Sequence, residues 1–294
     1  VLDFSKIEAG KLQISNDPFS PVELLEELTD MMARSAQAKN LEFICDLSPL
    51  PQKLIGDASR IRQVLTNLIS NAIKFTRQGH VRLAVSGEDK SNGLYELTFV
   101  IEDTGIGIKA EDRHRLFSAF SQLDAAINRE YQGTGLGLAI SQELIKLMHG
   151  NIDLQSELGQ GSEFTVRLRV NKLSYRLSLN LNEHWQDKAV LIYDSYPPSR
   201  RAAAKLLQTM GARITSVDSL EYLTTCTQPF DYFVFSCVEE DKHYCQLQMQ
   251  ALDDINAGQK ILLECSQRPF RHPDKERVFD YQITRPLTPN KLTG

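Results

Sequence analysis

The stretch NLISNAIKFT, residues 67–76, closes a run of helical periodicity that begins near Ala58. Ile61, Val64, Leu65, Leu68, Ala72 and Phe75 recur at the three- and four-residue spacing of one apolar helix face. Gln63, Asn67, Asn71 and Lys74 form a second row beside it, at steps of four, four and three. The spacing predicts a helix over 58–76, with Asp57 as its N-cap. Amide oxygens are hard ligands of the kind Mg²⁺ accepts beside water and phosphate oxygens, and a lysine at the end of the row can neutralise phosphate charge. Standing alone, such a row would read as a solvated helix face.

Its neighbours change that reading. Pro18 and Pro21 bracket a break, PLPQKLIGD (49–57) reads as a loop, and a helix is expected at about 110–119. HVRLAVSG (80–87) and LYELTFVIED (94–103) have the pattern of strands joined by a polar turn. The second runs into DTGIGI (103–108), which places Asp103 at a strand end followed by Gly105 and Gly107. A carboxylate there can accept the exocyclic amino group of adenine, and glycines let backbone approach a ligand closely. An aspartic-protease reading of DTG needs a second carboxylate of the same kind, and no second such motif occurs. GTGLGL (133–138) brings Gly133, Gly135 and Gly137 to the start of an apolar helix, where backbone N–H groups form a ready phosphate site. The segment before it is polar and the spacing is not that of a dinucleotide fingerprint. A Walker A loop is absent.

NLISNAIKFT (67–76), DTGIGI (103–108), LFSAFSQ (116–122) and GTGLGLAI (133–140) resemble, in order and spacing, the N, G1, F and G2 boxes of histidine kinases. The resemblance covers residues 1–170. It implies the Bergerat ATP-binding fold shared with Hsp90, gyrase and MutL: an α/β sandwich of mixed sheet, helices on one face and a mobile lid. It also implies ATP and Mg²⁺ as cofactors. Asn71 is then the expected metal ligand, with Asn67 one turn earlier and Lys74 on phosphate. Asp103 would hold adenine beside Gly105 and Gly107. Phe117 and Phe120 would anchor the lid. Gly133, Gly135, Gly137 and Leu138 would flank the phosphates, with Arg129 reaching in from the lid and Thr165 backing the adenine pocket. Hydrolytic relatives carry a glutamate where this sequence has Asn67, and an amide cannot act as a general base. Phosphoryl transfer to a positioned acceptor is therefore favoured over hydrolysis. The alternatives are an ATP-responsive binding module without transfer, and a Bergerat-type ATPase.

VLDFSKIEAGKL (1–12) opens without a cap, as though inside a helix, and resembles the end of the second dimerisation helix of the same family. Residues 1–16 are assigned to that helix, 17–171 to the ATP-binding domain, 172–186 to a linker and 187–294 to a second domain. The family's acceptor histidine belongs upstream of Val1. None of His80, His114, His149, His184, His243 and His272 stands in a matching context. This fragment is thus expected to bind ATP without phosphorylating itself.

From Lys188 onward, apolar strands alternate with helices, the pattern of a parallel, doubly wound, flavodoxin-like sheet. It resembles a receiver domain whose chemistry has changed. Asp194 and Ser195 stand where two metal-binding acids belong. Ser236 replaces the phospho-accepting aspartate, Arg285 precedes Pro286 in place of a lysine, and Ser266 is near the usual hydroxyl position. A kinase core followed by a degenerate receiver resembles bacterial hybrid sensor histidine kinases of the GacS/BarA type. That type implies a homodimer, the cytoplasmic portion of an inner-membrane sensor, downstream receiver and phosphotransfer domains, and a response regulator.

Composition agrees. A net charge of −5 argues against a general nucleic-acid partner. Five cysteines, without any CxxC, fit a reducing compartment. Cys237, His243 and Cys245 lie close together, but their spacing does not suit a zinc finger.

Overall fold

The computed structural model describes residues 5–7, 9–118, 135–173, 184–226, 228–236, 252, 255–265 and 275–292. They form two compact units, one around each of two sheets.

The first unit contains helices α1 (Pro21–Gln37), α2 (Ala58–Phe75) and α3 (Gly137–Leu147). Ser20 caps α1, with Pro21 opening its first turn. Asp57 caps α2, its Oδ1 accepting the Arg60 N–H at 2.9 Å. Ile61, Val64, Leu65, Leu68, Ile69, Ala72 and Ile73 are buried along α2, as the periodicity requires.

Seven strands make the sheet: β1 (Asp17–Phe19), β2 (Glu42–Leu47), β3 (Leu54–Gly56), β4 (His80–Asp89), β5 (Leu94–Asp103), β6 (Asn151–Glu157) and β7 (Gly161–Lys172). Their order is β1-β3-β7-β5-β4-β2, with β6 also paired to β7. Along β5 and β7, Leu97 faces Leu168, Phe99 faces Val166 and Ile101 faces Phe164, all buried on one side. The opposite side carries cross-strand ion pairs, Arg82 to Glu102 at 2.8 Å and Arg169 to Glu96 at 3.1 Å. The sheet therefore presents an apolar face and a polar one, and α2 packs against β4 and β5.

Three expectations are corrected. The helix expected at 110–119 is a short 3₁₀ helix, Ala110–Arg115. Residues 9–16, expected to belong to the first helix, are not helical. Residues 5–7 are helical, but Gly10 adopts φ 62 and the Lys11 N–H turns back to Lys6 O at 2.9 Å, a glycine-terminated helix end. Two short strands, β1 and β3, pair with each other where a break and a loop were expected; three residues are too few for a period to show.

The second unit holds β8 (Ala189–Asp194), α4 (Pro197–Thr209), β9 (Arg213–Val217), α5 (Leu220–Thr225), β10 (Phe230–Ser236), β11 (Ala257–Glu264), α6 (Lys275–Val278) and β12 (Tyr281–Thr284). All four strand pairs are parallel, in the order β12-β11-β10-β8-β9. Alternate residues feed two cores. Val190, Ile192, Val234 and Leu263 pack with Leu206 and Leu207 of α4. Leu191, Tyr193, Phe233, Phe235 and Leu262 pack with Leu223 and Val278 on the other face. Trp185, 2% exposed, belongs to the first of these cores, so this unit begins before residue 187.

Candidate functional site

Helix α2 is where the three motif segments meet. At its C-terminal end the DTGIGI loop closes over the last turn: the Ile106 N–H donates to Phe75 O at 3.3 Å. A Cβ on Gly105 would lie 2.6 Å from that same oxygen, so no side chain fits. On its far side the loop touches the β6–β7 turn. The Gly159 N–H donates to Ile106 O at 2.7 Å, and the Ile108 N–H donates to Ser156 Oγ at 2.8 Å. Gly107 has φ 66, and a Cβ there would lie 1.9 Å from Glu157 O. The loop is thus clamped between helix and hairpin, with Ile106 37% exposed.

Asp103, the last residue of β5, is 6% exposed. Its Oδ1 accepts the Gly105 N–H at 2.8 Å. Burial pushes its carboxyl up to about 6, and the charge of Glu102 adds to the rise, while the backbone N–H groups of Gly105 and Ser162 pull the other way. A buried carboxylate whose acceptors, among the described residues, meet only backbone N–H groups is poised for a ligand donor.

Eight residues before Phe75, about 12 Å along the axis, α2 meets α3. Asn67 Nδ2 donates to Ser141 Oγ at 2.9 Å, and Gly137 lies against the same amide. Helix α3 starts at Gly137 behind Leu136, whose side chain makes no capping bond. Gly135 has φ 68, and Leu138 is half-buried. The first-turn N–H groups therefore have no side-chain acceptor at the N-cap. Asn71 and Lys74 lie between the two contacts, both half-buried, with Lys74 Nζ 5.0 Å from the centre of the Phe75 ring. Gln63 is already engaged, its Oε1 accepting from Arg60 at 2.7 Å.

One expected residue is misplaced. Thr165 pairs with Val100 and Asp153, on the sheet face opposite Asp103. Ser162 pairs with Asp103 instead, and its Oγ lies 3.0 Å from Ser156 Oγ. The signal was available, because Phe164 and Val166 alternate inward and Ser162 shares their phase while Thr165 does not. Phe117 lies among the described residues, just past the 3₁₀ helix. Phe120, Arg129 and Gly133 lie outside them, as do Cys237, His243, Cys245 and Ser266.

In the second unit, Asp194 and Ser236 end adjacent strands and stand opposite one another. Arg285, joined to Pro286 by a cis peptide, reaches across to Asp194. Its Nη2 donates to Asp194 Oδ2 at 3.0 Å and to Ser199 Oγ at 2.5 Å. Ser195 is exposed, and Ser236 is fully buried with no hydrogen-bond partner for its Oγ among the described residues.

Residues 56–172 match the family of histidine kinase-, DNA gyrase B- and HSP90-like ATPases. The chain is 36% identical over 273 residues to the sensor histidine kinase GacS of Pseudomonas protegens, which covers 90% of this chain and 30% of that protein. It is 43% identical over 172 residues to the signal transduction histidine-protein kinase BarA of Escherichia coli K12, covering 58% of this chain and 19% of BarA. The crystal structure of full-length ShkA in complex with AMPPNP is similar at a TM-score of 0.75 and 25% identity, over 99% of this chain and 58% of that one. The chain thus spans less than a third of the length of these curated relatives.

Proposed function

We propose that this chain, whose residues 56–172 match the histidine kinase-, gyrase B- and HSP90-like ATPase family and which is similar to GacS and BarA, is the ATP-binding catalytic core of a hybrid sensor histidine kinase. It transfers the γ-phosphoryl group of ATP to a histidine on a dimerisation domain. The observation that carries this reading is the buried carboxylate of Asp103 at one end of α2 and the first turn of α3, opened by the glycine Gly137, at the other. The separation suits a nucleotide with its base against Asp103 and its phosphates at Gly135, Gly137 and Leu138.

The residues fit a Mg·ATP complex. Asn71 supplies a neutral amide oxygen between the two ends, as a hard cation shared with phosphate requires. Mg²⁺, when bound, would neutralise charge on the transferring phosphoryl group. Lys74 adds positive charge one turn further on. In its ionised form Asp103 accepts a hydrogen bond from the adenine amino group. Ser162 supplies a backbone N–H to that carboxylate and a hydroxyl beside it. Asn67 offers no general base, which supports transfer over hydrolysis.

The second unit acts as a pseudo-receiver for interaction or regulation. Ser236 cannot form an acyl phosphate, and the Arg285 guanidinium already pairs with Asp194, the one acid left of the metal-binding set. The dimerisation domain, further receiver and phosphotransfer domains and a response regulator are the proposed partners, in a membrane-anchored homodimer. Among the described residues no helix is long and apolar enough to cross a membrane.

The test is incubation with γ-labelled ATP and a separately purified, histidine-bearing dimerisation domain. Label should appear on that domain and not on this chain. Label retained by this chain alone, or steady ATP turnover without the acceptor, would contradict the reading.

A further inference from the structure

Asn67 is gripped from two sides by one helix. Its Nδ2 donates to Ser141 Oγ at 2.9 Å, and Ser141 is 2% exposed. A Cβ placed on Gly137 would fall 2.3 Å from Asn67 Oδ1, 3.1 Å from its Cγ and 3.2 Å from its Nδ2. The flat of the amide therefore covers Gly137. Positions 137 and 141 are four apart on α3 and share a face, so the amide keys into a single groove, closed by a glycine at one end and a serine hydroxyl at the other. Apolar contact would leave the two helices free to slide by fractions of an ångström. A hydrogen bond, being directional, fixes both the distance and the rotation between them.

We infer that Ser141 and Gly137 are positioning residues of the nucleotide site, which act through Asn67 to hold the phosphate-binding start of α3 at a set distance from Asn71. The inference rests on the nucleotide reading above and goes one step beyond it. Asn71 is one turn from Asn67 on α2, and the first-turn N–H groups of α3 begin at the very residue that Asn67 covers. A ligand that bridges these elements, with phosphate oxygens on one and a metal ion on the other, gains from both only if their separation is already correct. The Asn67–Ser141 bond pre-sets that separation before the ligand arrives. Asn67 then serves by its shape and its donor group, without chemistry of its own. This accounts for an amide at a position where hydrolytic relatives need a carboxylate.

The experiment measures affinity by calorimetry for ATP with Mg²⁺, ATP with a chelator, and ADP with a chelator. The proteins are wild type, Ser141→Ala, Asn67→Ala and the double variant, with thermal unfolding of each. Wild type should bind ATP more tightly when Mg²⁺ is added. Each single variant should shrink that gain roughly fivefold, the size of one net hydrogen bond, with metal-free ADP affinity within about twofold of wild type. The double variant should lose no more than the worse single, because the two residues act through one bond. A full Mg²⁺ gain in Ser141→Ala overturns the assignment. So do losses that add independently, or a fall in all three affinities in step with the unfolding temperature, which would mark a packing role only. If wild type itself fails to bind ATP, the nucleotide reading falls and the positioning role falls with it. If wild type binds and the variants match it, the positioning role alone falls.

Discussion

Arg285 and Asp194 form an ion pair at 3.0 Å in which the two side chains are 4% and 2% exposed. It joins the C-terminal end of β8, an inner strand, to the segment after β12. Two charges so deeply buried stabilise little as a pair, but either one left alone is costly.

Arg285→Met should therefore destabilise the second unit by about 3–5 kcal/mol, because the buried Asp194 would lose its ionic partner. Adding Asp194→Leu should recover most of the loss. Trp185 is the sole tryptophan of the chain and is buried in this unit's core. Urea unfolding followed by its fluorescence reports this unit directly.

Asp103→Asn should abolish ATP binding yet raise the unfolding temperature of the ligand-free protein at pH 7. The folded carboxyl titrates at about 6 against an ordinary 3.8. The native state thus binds its proton more readily than the unfolded chain, and stability falls as pH rises between these values. The cost is fully present above pH 6, and a neutral amide removes it. Near pH 4 and below the stabilisation should fade, which melting curves across pH would check.

Nucleotide affinity should show an acid limb from the same residue. Below about pH 6, protonation of Asp103 removes an acceptor, and affinity should fall by up to about tenfold per pH unit. Adenosine, which has no phosphate to titrate, should show the same limb in a binding titration. A flat profile for adenosine would rule out the Asp103 contact with the base.

Asp57 should prove a double anchor. Oδ1 caps α2 through the Arg60 N–H at 2.9 Å, and Oδ2 holds the Ser15 N–H at 3.0 Å. Asp57→Ala should cost about 1–2 kcal/mol. Asp57→Ser, which keeps one acceptor, should restore the cap alone. Hydrogen exchange resolves the two: the Arg60 amide should stay protected in the serine variant while the Ser15 amide exchanges faster than in wild type.

How far the sequence could be read depended on the length of each element. Helix α2 runs five turns with a named cap, so its face and its amide row were both legible. Strand β5 alternates between buried and half-buried residues over its whole length, Leu94–Asp103, and its existence as a strand followed from the sequence. Strands β1 and β3 have three residues each and no period to detect. A helix was expected at about 110–119, but Ala110–Arg115 forms a 3₁₀ helix, whose hydrogen bonding is of the tighter kind. Thr165 was chosen as a residue type, where the strand phase required Ser162.

Order and spacing along the chain were enough to identify an ATPase domain and a receiver-like sheet, because motifs and periodicity are local properties that survive without coordinates. Contacts between distant segments were not legible in this way. That Asn67 is spent on Ser141, seventy-four residues away, and that Arg285 fills the place beside Asp194, ninety-one residues away, depends on how packed elements turn their faces. Only the folded chain decides which of several competent side chains reaches a given partner, since a buried polar group must find one within hydrogen-bond distance or bear the cost of lacking it.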